Sequence, residues 1–89
     1  MPGFLVLDVA EFAPLVAAAR RHPEIRVTRI SKEYWSVTSD RVIEITRSEC
    51  GLCEAVWFGA LTAGLSARIE RFDADVLRLV DINAASPAG

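Results

Sequence analysis

The chain has 89 residues, 52% hydrophobic and 25% charged, and ten Lys and Arg against twelve Asp and Glu give a net charge of −2. This balance fits one globular domain and excludes a disordered chain, which would be poorer in apolar residues. A general nucleic-acid binder would need a basic excess, and a membrane span would need about 18 consecutive apolar residues. The first residues also lack the pattern of a signal peptide. We therefore expect a cytoplasmic protein without nucleic-acid or membrane partners.

The N-terminal segment predicts a strand followed by an amphipathic helix. Phe4–Leu7 is an unbroken apolar run typical of a short strand. Asp8 and Glu11 have the three-residue spacing of a capping box. Apolar side chains at three- and four-residue spacing then predict a helix that ends near Arg21. This helix is expected to begin near Ala13, because the proline that follows is tolerated only in a first turn.

Residues 25–47 have the Thr, Val, Ile and aromatic side chains typical of strands. A first strand is expected to end near Ser31. Two further strands follow, each with apolar side chains at every second position. An antiparallel hairpin that pairs Val37 with Ile43 places both apolar sets on one face, with residues 39–41 as its loop.

A second helix is expected from Ser48 to about Ala63, closed by Gly64 in a left-handed conformation. The segment from Ala55 to Ala63 contains no charged residue. A helix that is apolar all round is buried on several sides or covered by a partner, so ordinary core packing and a protein–protein contact both stay open. Ala55, Gly59 and Ala63 lie four apart, a spacing that permits close approach of another backbone, such as a second copy of the chain.

The C-terminal segment predicts another hairpin, with a loop at residues 73–75. One apolar pair and one opposite-charge pair agree on its register. The predicted pairs are Ile69 with Leu79, Glu70 with Arg78, and Phe72 with Val76. Residues 1–82 thus predict a single α+β domain in the order β-α-β-β-β-α-β-β, an antiparallel sheet with two helices packed on it. Residues 83–89 are expected to form a flexible C-terminal tail.

Few residues suggest chemistry. Cys50 and Cys53 form a C-x-x-C pair at a predicted helix start, where a thiol pKa is lowered, so a redox role stays open as a weaker alternative to structural cysteines. One His and two Cys cannot supply a four-ligand metal site without help from carboxylates. His22 is expected to be a solvated cation at a helix end. Asp73 and Asp75 fit a turn better than a calcium loop. We expect no catalytic residue, no metal and no cofactor.

Four stretches of the sequence follow one another in a suggestive order. They are Ala-Pro-Leu-Val-Ala-Ala-Ala before His22-Pro23, the strands at residues 34–37 and 41–45, the small-residue segment at residues 61–64, and the strand start at residues 67–69. In this order the chain, from about Ala13 to Val80, resembles the coupling (effector) proteins of soluble multicomponent diiron monooxygenases, which oxidise phenols, toluene, alkenes or methane.

This resemblance implies a regulatory protein that has no cofactor and catalyses nothing alone. Such proteins dock on the hydroxylase component over its diiron site, where they regulate substrate and oxygen access and couple electron delivery to product formation. The partner-binding residues that the resemblance implies are Leu61, Thr62, Ala63 and Gly64, with Trp57 and Phe58 just before them. Two alternatives remain: a small homodimeric binding or scaffold module, and a thiol redox protein that uses Cys50 and Cys53.

Overall fold

The computed structural model describes residues 1–82, and the predicted C-terminal tail at residues 83–89 lies outside them. The described chain contains seven strands, three short α-helices and one 3₁₀ turn. In chain order these are β1 (Gly3–Leu7), the 3₁₀ turn (Ala10–Phe12), α1 (Ala13–Arg20), β2 (Ile25–Arg29), β3 (Tyr34–Ser39), β4 (Ile43–Thr46), α2 (Arg47–Cys50), α3 (Glu54–Trp57), β5 (Leu65–Ser66), β6 (Arg68–Phe72) and β7 (Val76–Val80).

The described strands form two antiparallel sheets. The larger sheet has the order β2-β3-β1-β5, and the smaller sheet has the order β4-β7-β6. All strand pairs within residues 1–82 are antiparallel, so the predicted α+β class with helices packed on antiparallel strands is confirmed. The sequence predicted one sheet, and the second sheet is a difference from that expectation.

The predicted hairpin between β3 and β4 is wrong. Val37 of β3 lies opposite Phe4 on one side and Val27 on the other, so β3 is a central strand with no free edge. Ile43 of β4 pairs instead with Leu79 of β7 in the smaller sheet. The alternation of apolar residues indicates which face of a strand is buried, but it does not identify the neighbouring strand. Residues 40–42 therefore lead from one sheet to the other.

Helix α1 begins at Ala13 as predicted, but the capping box before it is absent. Phe12 occupies the N-cap position and makes no side-chain capping bond. The carboxylate of Asp8 instead accepts a hydrogen bond from the indole Nε1–H of Trp35 at 3.1 Å. The buried face of α1 includes Leu15 and Ala19, as the apolar spacing indicated.

The long second helix is replaced by two four-residue helices and a run of turns. Helix α2 starts with a complete capping box, in which Thr46 and Glu49 bond each other's backbone N–H groups. It ends at Cys50, and the C-cap residue Gly51, with φ of 71°, supplies the left-handed conformation that was predicted at Gly64. Helix α3 ends at Trp57, so the rest of the uncharged segment, residues 58–63, forms turns rather than a helix.

The C-terminal hairpin has the predicted Ile69–Leu79 pair and then shifts by one residue. A β-bulge between Ile69 and Arg71 places Phe72 opposite Leu77 rather than the predicted Val76. Directly paired residues point to the same face, and Leu77 and Leu79 share a face, so Ile69 and Phe72 also share it. The predicted ion pair between Glu70 and Arg78 does form across the bulge.

One apolar core joins both sheets. Its fully buried side chains include Leu15 of α1, Val37 of β3, Leu77 of β7 and Trp57 at the end of α3. None of the helices within residues 1–82 is long and apolar enough to cross a membrane.

Candidate functional site

Trp57 is the buried anchor of the uncharged segment. Its side chain is 0% exposed, and its Nε1–H donates a 2.6 Å hydrogen bond to the carbonyl oxygen of Asp73. Its ring lies 5.7 Å from that of Phe72, centroid to centroid. Trp57 therefore has no surface to offer a partner, and the expectation that it contacts one directly is wrong.

Phe58, the next residue, faces solvent. It is 45% exposed, and its ring centroid lies 5.4 Å from that of Phe72 at an interplanar angle of 55°. Ile69, on the same face of β6 as Phe72, is 46% exposed. We call Phe58, Ile69 and Phe72 the apolar patch. Half-exposed large apolar side chains on a buried base are typical of a protein-binding surface.

The rest of the predicted partner-binding segment forms consecutive turns. The N–H and the hydroxyl of Thr62 both donate to the carbonyl oxygen of Gly59, at 3.2 and 2.7 Å. Thr62 is exposed, whereas Leu61, Ala63 and Gly64 are half-buried. Backbone hydrogen bonds thus hold the segment, and its surface is set mainly by Phe58 and Thr62.

The small-residue stripe of Ala55, Gly59 and Ala63 is not a helix face, because α3 ends before Gly59. The side chain nearest to Gly59 belongs to the same chain: a Cβ added there would lie 3.7 Å from Cζ of Phe12. Within the chain, Phe12 therefore lies beside Gly59. The argument for a second copy packing along this stripe loses its geometric basis.

Gly64 borders a groove of about 380 Å³ on the outer side of the larger sheet. The N–H of Leu5 donates to the carbonyl oxygen of Gly64 at 2.9 Å, which brings β5 against β1. A Cβ at Gly64, where φ is 157°, would lie 3.2 Å from Cδ1 of Leu5. Leu65, at the rim, is 41% exposed. Of the described residues that line the groove, none has a charged side chain.

The two cysteines do not lie together at the start of one helix, the arrangement on which the weaker redox alternative depended. Cys50 is the last residue of α2 and is 7% exposed, while Cys53 is exposed at the N-cap of α3. Burial, with the negative charge of Glu49 as a lesser cause, raises the pKa of the Cys50 thiol to about 11. A reactive cysteine needs the opposite shift, so the position of Cys50 is that of a structural residue.

His22 is not the solvated cation that the sequence predicted. Its Nε2 lies 2.7 Å from Oε1 of Glu49, and its Nδ1 lies 3.4 Å from Oε1 of Glu24. Burial opposes ionisation of Glu49, but hydrogen bonds from Thr46 and His22 outweigh it and hold its pKa below the usual value. This cluster ties the end of α1 to the start of α2, a role that sequence spacing did not reveal.

The sequence also did not predict a second polar cluster, which lies around Trp35. The guanidinium carbons of Arg20 and Arg29 lie 4.7 and 4.2 Å from the centroid of the Trp35 ring. Arg29 also forms a 2.8 Å ion pair with Asp8, which has a lowered pKa because of its bonds to Arg29 and Trp35. Only the β2–β3 register, which sets Arg29 opposite Trp35, could have predicted this cluster.

Within residues 1–82 no group of three or more His, Cys, Asp or Glu side chains is arranged to hold a metal ion. Asp73 forms a turn as expected, since its Oδ1 accepts the N–H groups of Asp75 and Val76 at 2.9 Å each. Comparison with protein-family models, with curated proteins and with solved structures finds no match to this chain.

Proposed function

We propose that this protein is a non-catalytic coupling (effector) subunit, which works in the cytoplasm and docks on the hydroxylase of a diiron monooxygenase. The observation that carries the docking part is the 45% exposure of Phe58, whose ring packs on the partly buried Phe72. The choice of partner rests on the resemblance of residues 13–80 to the coupling proteins. In this role the protein regulates substrate access and electron coupling, and none of its own groups reacts.

The packing beneath Phe58 favours a binding role. The ring of Phe58 packs against that of Phe72, which in turn packs against the buried Trp57, and the indole N–H of Trp57 is bonded to the carbonyl oxygen of Asp73. A side chain that is held before binding loses less conformational entropy when a partner covers it. Exposed aromatic residues of this kind are the usual energetic centres of interfaces.

Charged side chains border the apolar patch and suit the polar rim of an interface. On β6, Glu70 is paired with Arg78, and Arg71 is paired with Asp73 at 2.6 Å. These ion pairs satisfy one another within the subunit, so docking need not leave a buried charge without a partner. We assign the docking surface to the apolar patch together with Leu61, Thr62, Ala63 and Gly64.

The proposal is tested by titrating the purified protein into the hydroxylase and reductase encoded beside it. We expect turnover and the yield of product per NADH to rise and to saturate near one protein per hydroxylase active site. Phe58→Ala should shift the saturation point to at least tenfold higher concentration. The matched control is Ile30→Ala, which truncates an exposed apolar residue outside this surface; Ile30 is 54% exposed, against 45% for Phe58.

Two outcomes would contradict the proposal. If saturating protein changes neither turnover nor NADH coupling, the coupling role is wrong. If Phe58→Ala and Ile30→Ala behave alike, the docking surface is misplaced. Sedimentation equilibrium on the protein alone tests the homodimeric alternative, since we expect a monomer mass that does not change with concentration.

A further inference from the structure

A cavity of about 190 Å³ lies between α1, the end of β1 and Trp35, and the docking surface above does not include it. Its apolar walls come from Val9, Phe12, Val16 and the Trp35 ring. Two exposed alanines of α1, Ala13 and Ala17, line the same space and leave it open, because neither side chain extends beyond Cβ.

The charged groups at this cavity do not cancel. Asp8 and Arg29 neutralise each other through their 2.8 Å ion pair. Arg20 also lines the cavity, and no carboxylate within residues 1–82 lies within ion-pair distance of it. The guanidinium of Arg20 lies 4.7 Å from the centroid of the Trp35 ring, a contact that holds it in place but does not neutralise its positive charge. The three groups therefore leave one positive charge beside an apolar space.

We propose that this cavity binds a small carboxylic acid with an apolar body, with the carboxylate on Arg20 and the body between Trp35 and α1. A guanidinium binds a carboxylate through two parallel hydrogen bonds, and this planar geometry favours it over other anions of the same charge. The walls accept an aromatic or short aliphatic group. The N–H of Trp35 is already bonded to Asp8, and the guanidinium groups of Arg20 and Arg29 lie against its ring, so the indole serves as an apolar wall of the cavity and offers no donor.

The size of the cavity limits the ligand. Pockets for drug-sized molecules measure roughly 300–1,000 Å³, so about 190 Å³ corresponds to a single ring with one substituent. A ligand of about nine non-hydrogen atoms at ordinary efficiency binds with a Kd in roughly the millimolar range. Benzoate has this size and charge, and we use it as the probe.

The test is a benzoate titration of the whole chain, followed through the two tryptophan indole N–H signals in ¹H–¹⁵N NMR spectra. We expect the Trp35 signal to move and saturate, whereas the buried Trp57 serves as an internal reference and stays in place. Benzamide has the same shape without the charge and should bind at least tenfold more weakly. A Trp35 signal that does not move in about 50 mM benzoate would overturn the proposal.

Two substitutions test separately the charge of Arg20 and the volume of the cavity. Arg20→Gln should weaken benzoate binding at least tenfold, and the control Arg41→Gln, at an exposed arginine that does not line the cavity, should leave it unchanged. Ala17→Leu should abolish binding by filling the cavity, while Ala55→Leu should have no effect. Equal binding by Arg20→Gln and the unsubstituted protein, or equal binding of benzamide, would contradict the assigned site. None of these readouts involves a hydroxylase, so this site and the coupling role can fail separately.

Discussion

The rings of Phe58 and Phe72 lie 5.4 Å apart, and this contact sets an exposed aromatic side chain on the smaller sheet. The β-bulge at Glu70 makes the contact possible, since it turns Phe72 to the face of β6 that also carries Ile69. An irregularity of one residue in β6 therefore determines where the apolar patch lies.

Truncation of the two neighbouring aromatic residues should have very different effects on stability. Trp57→Ala removes a fully buried side chain and its hydrogen bond to Asp73, and it should lower the free energy of unfolding by about 3–5 kcal/mol. Phe58→Ala loses mainly one edge contact with Phe72, about 0.5–1.5 kcal/mol. Urea unfolding followed by circular dichroism measures both. Similar losses for the two variants would contradict the assignment of Trp57 as anchor and Phe58 as surface residue.

The two thiols should differ in reactivity. At pH 8 the exposed Cys53 should react with a thiol reagent within minutes. Cys50 should react only after unfolding, because burial raises its pKa to about 11 and shields the sulfur. Counting modified thiols by mass spectrometry, with Cys53→Ser as the matched variant, checks this. A fast-reacting Cys50 would reopen the redox alternative.

Glu49 should make stability depend on pH in the acid range. Its folded pKa lies below the ordinary value of 4.5, so its contribution is fully present above that value and is lost as pH falls through the folded pKa. Glu49→Gln retains a side chain that can complete the capping box with Thr46, but it has no charge to titrate.

We therefore expect the stability of the Glu49→Gln variant to vary less between pH 5 and 3 than that of the unsubstituted protein. Glu49→Ala should in addition lose about 1–3 kcal/mol at neutral pH, because the backbone N–H of Thr46 loses its charged hydrogen-bond acceptor. Unfolding midpoints measured across this range distinguish the two effects. An unchanged pH dependence in Glu49→Gln would mean that another carboxyl group controls the acid transition.

Sequence patterns predicted where strands and helices lie in the chain better than they predicted which strands pair with each other. Periodicity placed β1, the start of α1 and the Ile69–Leu79 pair correctly, because each depends on local spacing or on a short loop. The pairing of Ile43 with Leu79 is a contact between distant parts of the chain, and neither strand contains a signal for the other. The sequence predicted a local hairpin of β3 with β4. Because β4 pairs with β7 instead, these strands form a second sheet that the sequence did not predict.

The sequence predicted which segment contains the candidate site, but it did not predict which residues of that segment are exposed. The absence of charge from Ala55 to Ala63 identified a region with unusual packing, which contains both Trp57 and Phe58. Which of the two is buried depends on how α3 packs against Phe72 and Asp73, and that is a tertiary property. The cluster of Arg20 and Arg29 on Trp35 likewise needs the β2–β3 register and the position of α1.

Asp73 provides the clearest single titration to test. Its pKa is lowered to about 2, first by the hydrogen bond from Arg71 and then by the N–H groups of Val76 and Asp75. Because the folded pKa lies below the ordinary value of 3.8, the stabilisation from this carboxylate is present above that value and lost as pH falls toward about 2. We expect the NMR titration of the Asp73 carboxyl carbon to have a midpoint near 2.

In Asp73→Asn the amide oxygen can still accept both turn hydrogen bonds, so the hairpin should persist at neutral pH while this acid dependence disappears. A midpoint near 3.8 would show that the Arg71 contact and the turn bonds are not formed in solution.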